Sequence, residues 1–548
     1  MSALHPIVDK LLKERHIDNP DAFMNPVYHE RPDPFLMKDM DKAVGRILHA
    51  IERGEKIAAW TDYDCDGIPA GALLADFFRT IEYPVRSYIP ERSEGYGLNK
   101  PGIERLKNEG VTLIVTADCG ITDVEEVAFA KEMGVDIIVS DHHLPQEKLP
   151  DAVAVLNPHR VDCAYPFKEL CGTGVAFKLV EALVQKGDFQ LPEGFEKWLL
   201  DLVALATVAD MVPLVGENRT LVHFGLVVTR KGRRKGMRAL LDTMRIPLSA
   251  ITEDDFSFSV APKVNAASRM ESPLLALELL STEDAVRAEV LAKQLVKLND
   301  ARKLEGARVS KEVKKRLEGV PLPDVVVLGN SSWNPALLGI AATNVVETYQ
   351  RTVCLWGKDG DLIKGSCRSN GTVNIVSLMT EASGVFEDFG GHEASGGFSL
   401  KADAIHTLPQ VLQTAYGATK TEAVSRASVE TDGALTLSEV TSALYGALRT
   451  LAPYGVGNRK PVFAFHGVRV EKVLWFGKHQ EHARVAVSDD EGRTVEAVSF
   501  FANRASFKDT LELVSLGDRV SLDGSVEESF FAGRKELRLR LENLTFAG

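Results

Sequence analysis

Residues 55–67, EKIAAWTDYDCDG, decide the reading of this chain: a short apolar run ends in three aspartates, Asp62, Asp64 and Asp66, and a glycine. Working outward, IPAGALLADFFRTI (68–81) has helical spacing, VRSYI (85–89) reads as a second strand and GIERLKNEG (102–110) as a second helix. VTLIVTADCG (111–120), a helix from about Asp123 to Met133 and VDIIVSDHH (135–143) continue the alternation. Strand and helix in turn predict a doubly wound parallel sheet, α/β in class. Ligands gather at the carboxyl ends of such strands. Three strand ends here terminate in acidic or imidazole side chains: the Asp62, Asp64 and Asp66 set, then Asp118, then Asp141, His142 and His143. Residues far apart in the chain are therefore expected to converge.

Further along, KWLLDLVALATVADMVPL (197–214) is apolar enough for a buried helix, with Asp210 at its polar end. From about Ser281 to Glu318 one long helix is expected, with Leu291, Leu295 and Leu298 on one face and dense charge on the other. Residues 323–356 again alternate strand and helix signals, opening a smaller α/β domain that runs to about Ser425. After Pro461 the pattern becomes all-β. RKELRLRLENL (534–544) alternates Leu537, Leu539 and Leu541 with charged residues, and about five short strands predict an OB-like barrel. The expected order is an N-terminal helical extension (1–45), a catalytic domain (46–280), a connecting helix (281–320), an accessory domain (321–425), a linker (426–460) and the barrel (461–548).

Composition is that of an ordinary globular protein, 45% hydrophobic and 26% charged, with no apolar run that could span a bilayer. The amino terminus lacks the uninterrupted apolar core of a secretory signal, so a cytoplasmic location is expected. Six cysteines (Cys65, Cys119, Cys163, Cys171, Cys354 and Cys367) form no CxxC pair and are read as reduced thiols. A net charge of −13 argues against non-specific coating of nucleic acid but leaves room for a local basic groove. RKGRRKGMR (230–238) carries six basic residues in nine, either such a patch or a solvated turn between helices.

Carboxylates with neutral imidazoles suit Mn²⁺ or Mg²⁺ rather than soft metals, and carboxylates from several strands can hold two ions. Two ions clamp the attacking and leaving oxygens of a phosphodiester. Each motif alone has a plainer reading. DYDCDG could be an exposed turn, although Leu73 stands where an EF-hand loop would need its closing glutamate. His142 and His143 could be packed histidines, and Asp210 a helix-end carboxylate. Four such clusters in this order, each at an element end, are hard to obtain from those readings together.

DYDCDG (62–67), TADCG (116–120), SDHH (140–143) and TVADMVPL (207–214) resemble the four motifs of the DHH phosphoesterase family, and the resemblance extends over nearly the whole chain. YIPERSEGYGLN (88–99), PKVNAASRM (262–270), KGSCRS (364–369), GGHEASGGFSL (390–400) and PYGVGNRKPVF (453–463) are similar to segments of its RecJ-type branch, with KGSCRS and GGHEASGGFSL in the DHHA1 accessory domain. The resemblance implies a 5′→3′ exonuclease on single-stranded DNA, acting in DNA repair or recombination beside a single-strand-binding protein or a helicase.

It further implies that Asp62, Asp64, Asp66, Asp118, His142 and Asp210 surround two divalent cations, Mn²⁺ or Mg²⁺, with Asp118 bridging. Asp141 would orient the first histidine, and His143 would contact phosphate or donate a proton. Arg92 and Arg269 would hold backbone phosphates from the catalytic domain, and Ser366, Arg368, Ser369 and His392 from the accessory domain. The chain departs from the branch at Trp60-Thr61, at Ser268 and at Trp333-Asn334-Pro335-Ala336. Two other readings stand beside this one: a DHH phosphodiesterase for short oligonucleotides or cyclic dinucleotides, and a non-catalytic replication scaffold. Trp475, Phe476, Phe530 and Phe531 of the barrel, either stacking surfaces or core, bear on the first alternative. Retention of every candidate ligand bears on the second.

Overall fold

The computed structural model describes residues 4–421, 430–478, 480–531 and 534–547. The chain divides into two compact units, one formed by Asn25–Glu305 with Pro453–Asn458, the other by the residues up to Met24, Gly306–Ala452 and the chain from Arg459 onward.

The first unit is built on a five-stranded parallel sheet of order β2-β1-β3-β4-β5, comprising β1 (Lys56–Thr61), β2 (Val85–Tyr88), β3 (Val111–Ala117), β4 (Asp136–Ser140) and β5 (Ala154–Leu156). The apolar runs of its strands follow from burial on both faces. Ile57 and Ala59 enter one core with Leu113 and Val115, while Ala58 and Trp60 enter the other with Ile114 and Val139. The order reverses between β1 and β3, which puts the Asp62–Asp66 loop and Asp118 on either side of the topological switch point. Helix Leu200–Ala209 is buried almost throughout, as its uniform apolarity predicts.

The second unit carries a five-stranded mixed sheet of order β6-β7-β8-β10-β9, comprising β6 (Val325–Gly329), β7 (Thr352–Asp359), β8 (Leu362–Arg368), β9 (Asp388–Gly391) and β10 (Ser395–Lys401). It also carries a closed barrel of order β11-β12-β13-β15-β14, comprising β11 (Phe463–Phe476), β12 (His482–Ser488), β13 (Thr494–Ser499), β14 (Arg519–Phe531) and β15 (Arg534–Phe546). The period-two pattern of 534–544 is β15, which pairs antiparallel with β14 and parallel with β13.

Several expectations need correction. Helix Met40–Arg53 runs straight through position 45 and buries Val44 and Ile47 in the core of the parallel-sheet unit, so the N-terminal extension ends earlier. The long helix is Ala285–Leu317; Leu274–Ser281 is a separate helix before it. The stretch expected as a linker has structure of its own: helix Ser442–Arg449 lies in it, and Pro453–Asn458 packs into the parallel-sheet unit, where Leu214 N–H donates to the Val456 carbonyl (2.7 Å) and Tyr454 N–H to Glu253 (3.0 Å). The boundary at Ser425 lies outside the described residues. The six-thiol reading is also corrected: Cys354 and Cys367 face each other across β7 and β8 and are joined as a disulfide, whereas Cys65, Cys119, Cys163 and Cys171 are free and buried. Antiparallel register, invisible in the spacing, brings that pair together. Among the described residues no helix is long and apolar enough to cross a membrane.

Candidate metal centre

Four chain segments meet at the carboxyl edge of the parallel sheet. The Asp62–Asp66 loop turns directly into helix Gly67–Thr80, and Gly67 is required there because a Cβ would stand 2.4 Å from the Asp62 carbonyl oxygen. Asp64 braces the loop by accepting the N–H of Asp66 (2.8 Å) and of Gly67 (3.2 Å). Asp66 accepts the first N–H groups of helix Gly172–Lys186, from Gly172 (2.6 Å) and Thr173 (2.7 Å), a favourable place for a carboxylate. Asp118 leaves β3 with φ +65°, in the left-handed region that a short polar side chain tolerates, and its N–H donates to the Ser140 carbonyl at the end of β4 (3.0 Å). Asp210 caps the carboxyl end of Leu200–Ala209.

His142 Nε2 lies 3.2 Å from Asp118 Oδ1, 3.7 Å from Asp66 Oδ2 and 3.7 Å from Asp210 Oδ2. Three overlapping donor sets have ligand atoms within 4.8 Å of one another: Asp118, His142 and His143; Asp66, His142 and Asp210; and Asp62, Asp64 and Asp118. Asp118 and His142 each belong to two of them. Burial, followed by the charges of Asp66, Asp64 and Asp62, holds Asp118 well above the usual carboxylate range. Burial and Asp64 do the same to Asp62, and burial with Asp66 and Asp64 lifts Asp210 to about 8. Burial lowers His142, which favours the neutral imidazole a metal requires.

The residues fit divalent cations on independent grounds. Asp62 Oδ1, Asp118 Oδ1 and His142 Nε2 are buried and have no hydrogen-bond partner among the described residues. Buried polar atoms without partners are costly, and mutually repelling carboxylates more so. A hard cation satisfies both, and the oxygen-rich donor set with one imidazole suits Mn²⁺ or Mg²⁺.

Asp141 does not orient the first histidine's ring as expected. Its Oδ1 accepts from His143 Nδ1 (2.8 Å) and only from the backbone N–H of His142 (2.7 Å), while Oδ2 accepts from Ile121 N–H (2.9 Å). Burial lowers His143, but the bond to Asp141 outweighs it and brings the imidazole to about 9. Because the carboxylate only accepts, Nδ1 carries a proton, and at neutral pH the charged ring also carries one on Nε2, which can be donated.

Arg92 stacks on Tyr63 (4.2 Å) and donates to Ser268 Oγ (3.3 Å), which gives the departure at Ser268 a local role. Arg269 is half-buried; desolvation, with Arg92 and Arg302 nearby, lowers it to about 10, still charged at neutral pH. In the other unit Arg368, at the end of β8, donates to Ser366 Oγ (2.8 Å), and His392 is exposed in the turn between β9 and β10. The Ser369 hydroxyl instead donates to the Val373 carbonyl (2.6 Å) and accepts from Gly371, bracing its own turn. Trp333 is buried and donates to Glu312 (3.0 Å), and Asn334 caps helix Pro335–Tyr349, so that departure builds a helix start.

The sequence reading missed two neighbours. Tyr96 hydroxyl lies 3.1 Å from His143 Nδ1 and 3.2 Å from the Asp118 carbonyl, and its flanking glycines were the available signal. Asn265 accepts the Cys65 N–H (2.9 Å), tying the aspartate loop to a helix two hundred residues on. No local pattern announces that contact. On the barrel, Phe476, Phe500, Phe501 and His482 form a ring cluster flanked by Arg484, Arg538 and Arg540, with Phe501 54% exposed. Trp475 points to the opposite face by alternation, and the side chains of Phe530 and Phe531 lie outside the described residues.

A doubly wound sheet with this carboxylate–imidazole cluster at its switch point defines the DHH class. Residues 56–207 match the DHH family, N-terminal domain; 323–418 match the DHHA1 domain and 431–543 the RecJ OB domain. The chain is 32% identical over 98% of its length to the single-stranded-DNA-specific exonuclease RecJ of Bacillus subtilis, spanning 68% of that protein. It is 30% identical over 93% of its length to RecJ of Escherichia coli, spanning 90% of it. Among solved structures it is similar to RecJ from Thermus thermophilus in complex with Mn²⁺, at 25% identity and TM-score 0.82, covering all of this chain and 76% of that one. The chain belongs to the RecJ family of DHH proteins.

Proposed function

We propose that this protein is a metal-dependent exonuclease of single-stranded DNA that degrades the strand 5′→3′ with two divalent cations, in DNA repair or recombination, in the cytoplasm. The observation that carries the reading is the cluster of Asp62, Asp64, Asp66, Asp118, His142 and Asp210, with three buried donor atoms that nothing else satisfies among the described residues. The RecJ relatives, named for single-stranded-DNA-specific exonuclease activity, support it.

The cations would be held by these six residues, shared through Asp118, and when bound they polarise a phosphoryl oxygen and lower the pKa of water. The protein's own groups do the rest. Asp141 keeps His143 protonated on Nδ1 and fixes its ring, so that Nε2 meets the phosphate or gives a proton to the leaving oxygen. Arg92 and Arg269 hold the neighbouring backbone phosphate, and Arg368 with Ser366 the 5′-terminal one. The aromatic and arginine cluster of the barrel stacks bases of the long strand.

End-labelled single and double strands digested with Mn²⁺ or Mg²⁺ test this. A 3′-labelled single strand should shorten progressively, a bulky 5′ block should protect it and blunt duplex should survive. Protection by a 3′ block alone would reverse the polarity, and the absence of metal-dependent cleavage would end the catalytic reading.

A further inference from the structure

Trp60, at one of the positions where the chain departs from the RecJ branch, is fully buried near the end of β1, two residues before Asp62. An indole in an apolar core still has an N–H to satisfy. Its core neighbours Ala58, Ile103, Ile114 and Val139 offer only side-chain carbon. The acceptor is the carbonyl of Gly97, at 3.2 Å. Gly97 does not belong to the sheet. It lies in segment 89–98, which leaves β2 after Tyr88 at the carboxyl edge, precedes helix Lys100–Asn108 and carries both Arg92 and Tyr96.

The same ring holds the start of that segment. Trp60 stacks on Tyr88 with 4.2 Å between ring centroids. The Tyr88 hydroxyl in turn donates to Glu94 (2.8 Å), whose other oxygen accepts the Glu91 N–H (2.7 Å). At the far end Gly97 stands at φ +80°, and a Cβ there would lie 2.5 Å from Asp123 Oδ2, the oxygen that accepts the Leu98 N–H at 2.6 Å. Gly102 leaves room for the indole, because a Cβ at that position would run into it. The segment is thus clamped at both ends, and one indole serves both clamps.

Between the clamps Tyr96 reaches the metal centre. Its hydroxyl donates to the Asp118 carbonyl (3.2 Å), and its oxygen faces His143 Nδ1 (3.1 Å), the nitrogen whose proton Asp141 accepts. The Tyr96 side chain is 46% exposed, so it is held on target by its backbone, which is fixed through Gly97 and Leu98. Arg92 is secured separately, by Ser268 and by Tyr63. Loss of the indole bond therefore falls on the Tyr96 end of the segment.

We propose that Trp60 is a positioning residue for hydrolysis: by holding residues 89–98 at both ends it sets the Tyr96 hydroxyl between His143 and the Asp118 carbonyl. The inference rests on the exonuclease reading of the metal centre. Trp60 acts through Gly97 and Tyr96, and what it contributes is the placement of groups that meet the reacting phosphate, so its effect belongs in turnover rather than in strand binding.

Trp60→Phe keeps an aromatic ring against Tyr88 and removes the donor. The test compares Trp60→Phe, Tyr96→Phe and the double variant in steady-state hydrolysis of a single strand with Mn²⁺, and follows amide hydrogen exchange of residues 89–98 in the metal-free full chain. Each single change should lower kcat by about tenfold and leave KM within about twofold. The double variant should be no slower than the slower single variant, because both changes break one chain of contacts. Exchange in 89–98 should quicken by about tenfold in Trp60→Phe. It should not quicken in Ile137→Ala, a truncation in the same core at the amino end of β4 that lowers the melting temperature. Unchanged kcat in Trp60→Phe, multiplied losses in the double variant, or equal quickening in Ile137→Ala would overturn the role and leave Trp60 as core packing. Absence of metal-dependent cleavage by the unaltered protein would instead end the exonuclease reading and the positioning role with it, while the exchange rates would still show whether Trp60 holds the segment.

Discussion

Gly172 lies against Asp118 so closely that a Cβ at position 172 would stand 2.4 Å from the Asp118 Cβ and 2.5 Å from its Oδ1. The same glycine donates its N–H to Asp66 (2.6 Å), so one residue without a side chain lets a helix start reach two candidate ligands. Gly172→Ala should displace Asp118 and lower turnover by about a hundredfold, since a shift near 1 Å at a reacting centre has that effect. The fold should survive at a cost of about 1–3 kcal/mol from overpacking. Steady-state kinetics and a melting curve check both; near wild-type turnover would mean that the contact relaxes without moving Asp118.

Asp118→Ala should abolish cleavage and leave binding of a single strand largely intact, because the phosphate contacts assigned to Arg92, Arg269 and Arg368 remain. Near wild-type turnover in Mn²⁺ would remove Asp118 from its bridging role.

The crowded carboxylates also predict a pH dependence for the metal-free protein. Asp210 is raised to about 8 by burial and by Asp66 and Asp64, whereas an unfolded aspartate titrates near ~3.9. Between these values the folded state binds the proton that the unfolded state has released, so this group's contribution to stability falls as pH rises from about 4 to about 8. Melting temperatures without metal should therefore decline across that window. Asp210→Asn should flatten the slope and added Mn²⁺ should raise the melting temperature most at the alkaline end. An identical slope in the Asn variant would refute the assignment.

Strand binding by the barrel is best tested by point changes. Ending the chain near Thr450 would remove Pro453–Asn458 and with it the bonds from Leu214 and Tyr454 inside the parallel-sheet unit. Phe501→Ala, at a residue that is 54% exposed, should weaken a long single strand by about 1–3 kcal/mol while sparing hydrolysis of very short oligonucleotides. Equal affinity for the long strand would place the ring cluster outside the DNA path.

Arg368→Ala should raise KM more than it lowers kcat, since a contact made equally in the ground and transition states contributes to binding alone. An equal fall in kcat and kcat/KM would instead make Arg368 part of the transition-state set.

By itself the sequence determined the parallel sheet, the barrel and the candidate ligands, because strand burial writes itself as apolar runs or period-two alternation and the four acidic segments each follow such a run. KIAAWT before Asp62 and LDLVALATVA before Asp210 are legible without coordinates. Only the tertiary structure decided that Asp141 holds the ring of His143, that Tyr96 reaches the Asp118 carbonyl, that Asn265 ties down the aspartate loop and that Cys354 meets Cys367. Those pairings depend on φ values, strand register and helix placement, which residue type and spacing do not encode. Arg234 shows the same limit: within a run of like charges, burial between Asp76 and Asp201 makes one arginine an anchor and leaves its neighbour Arg233 exposed, and that difference arises only when distant helices pack.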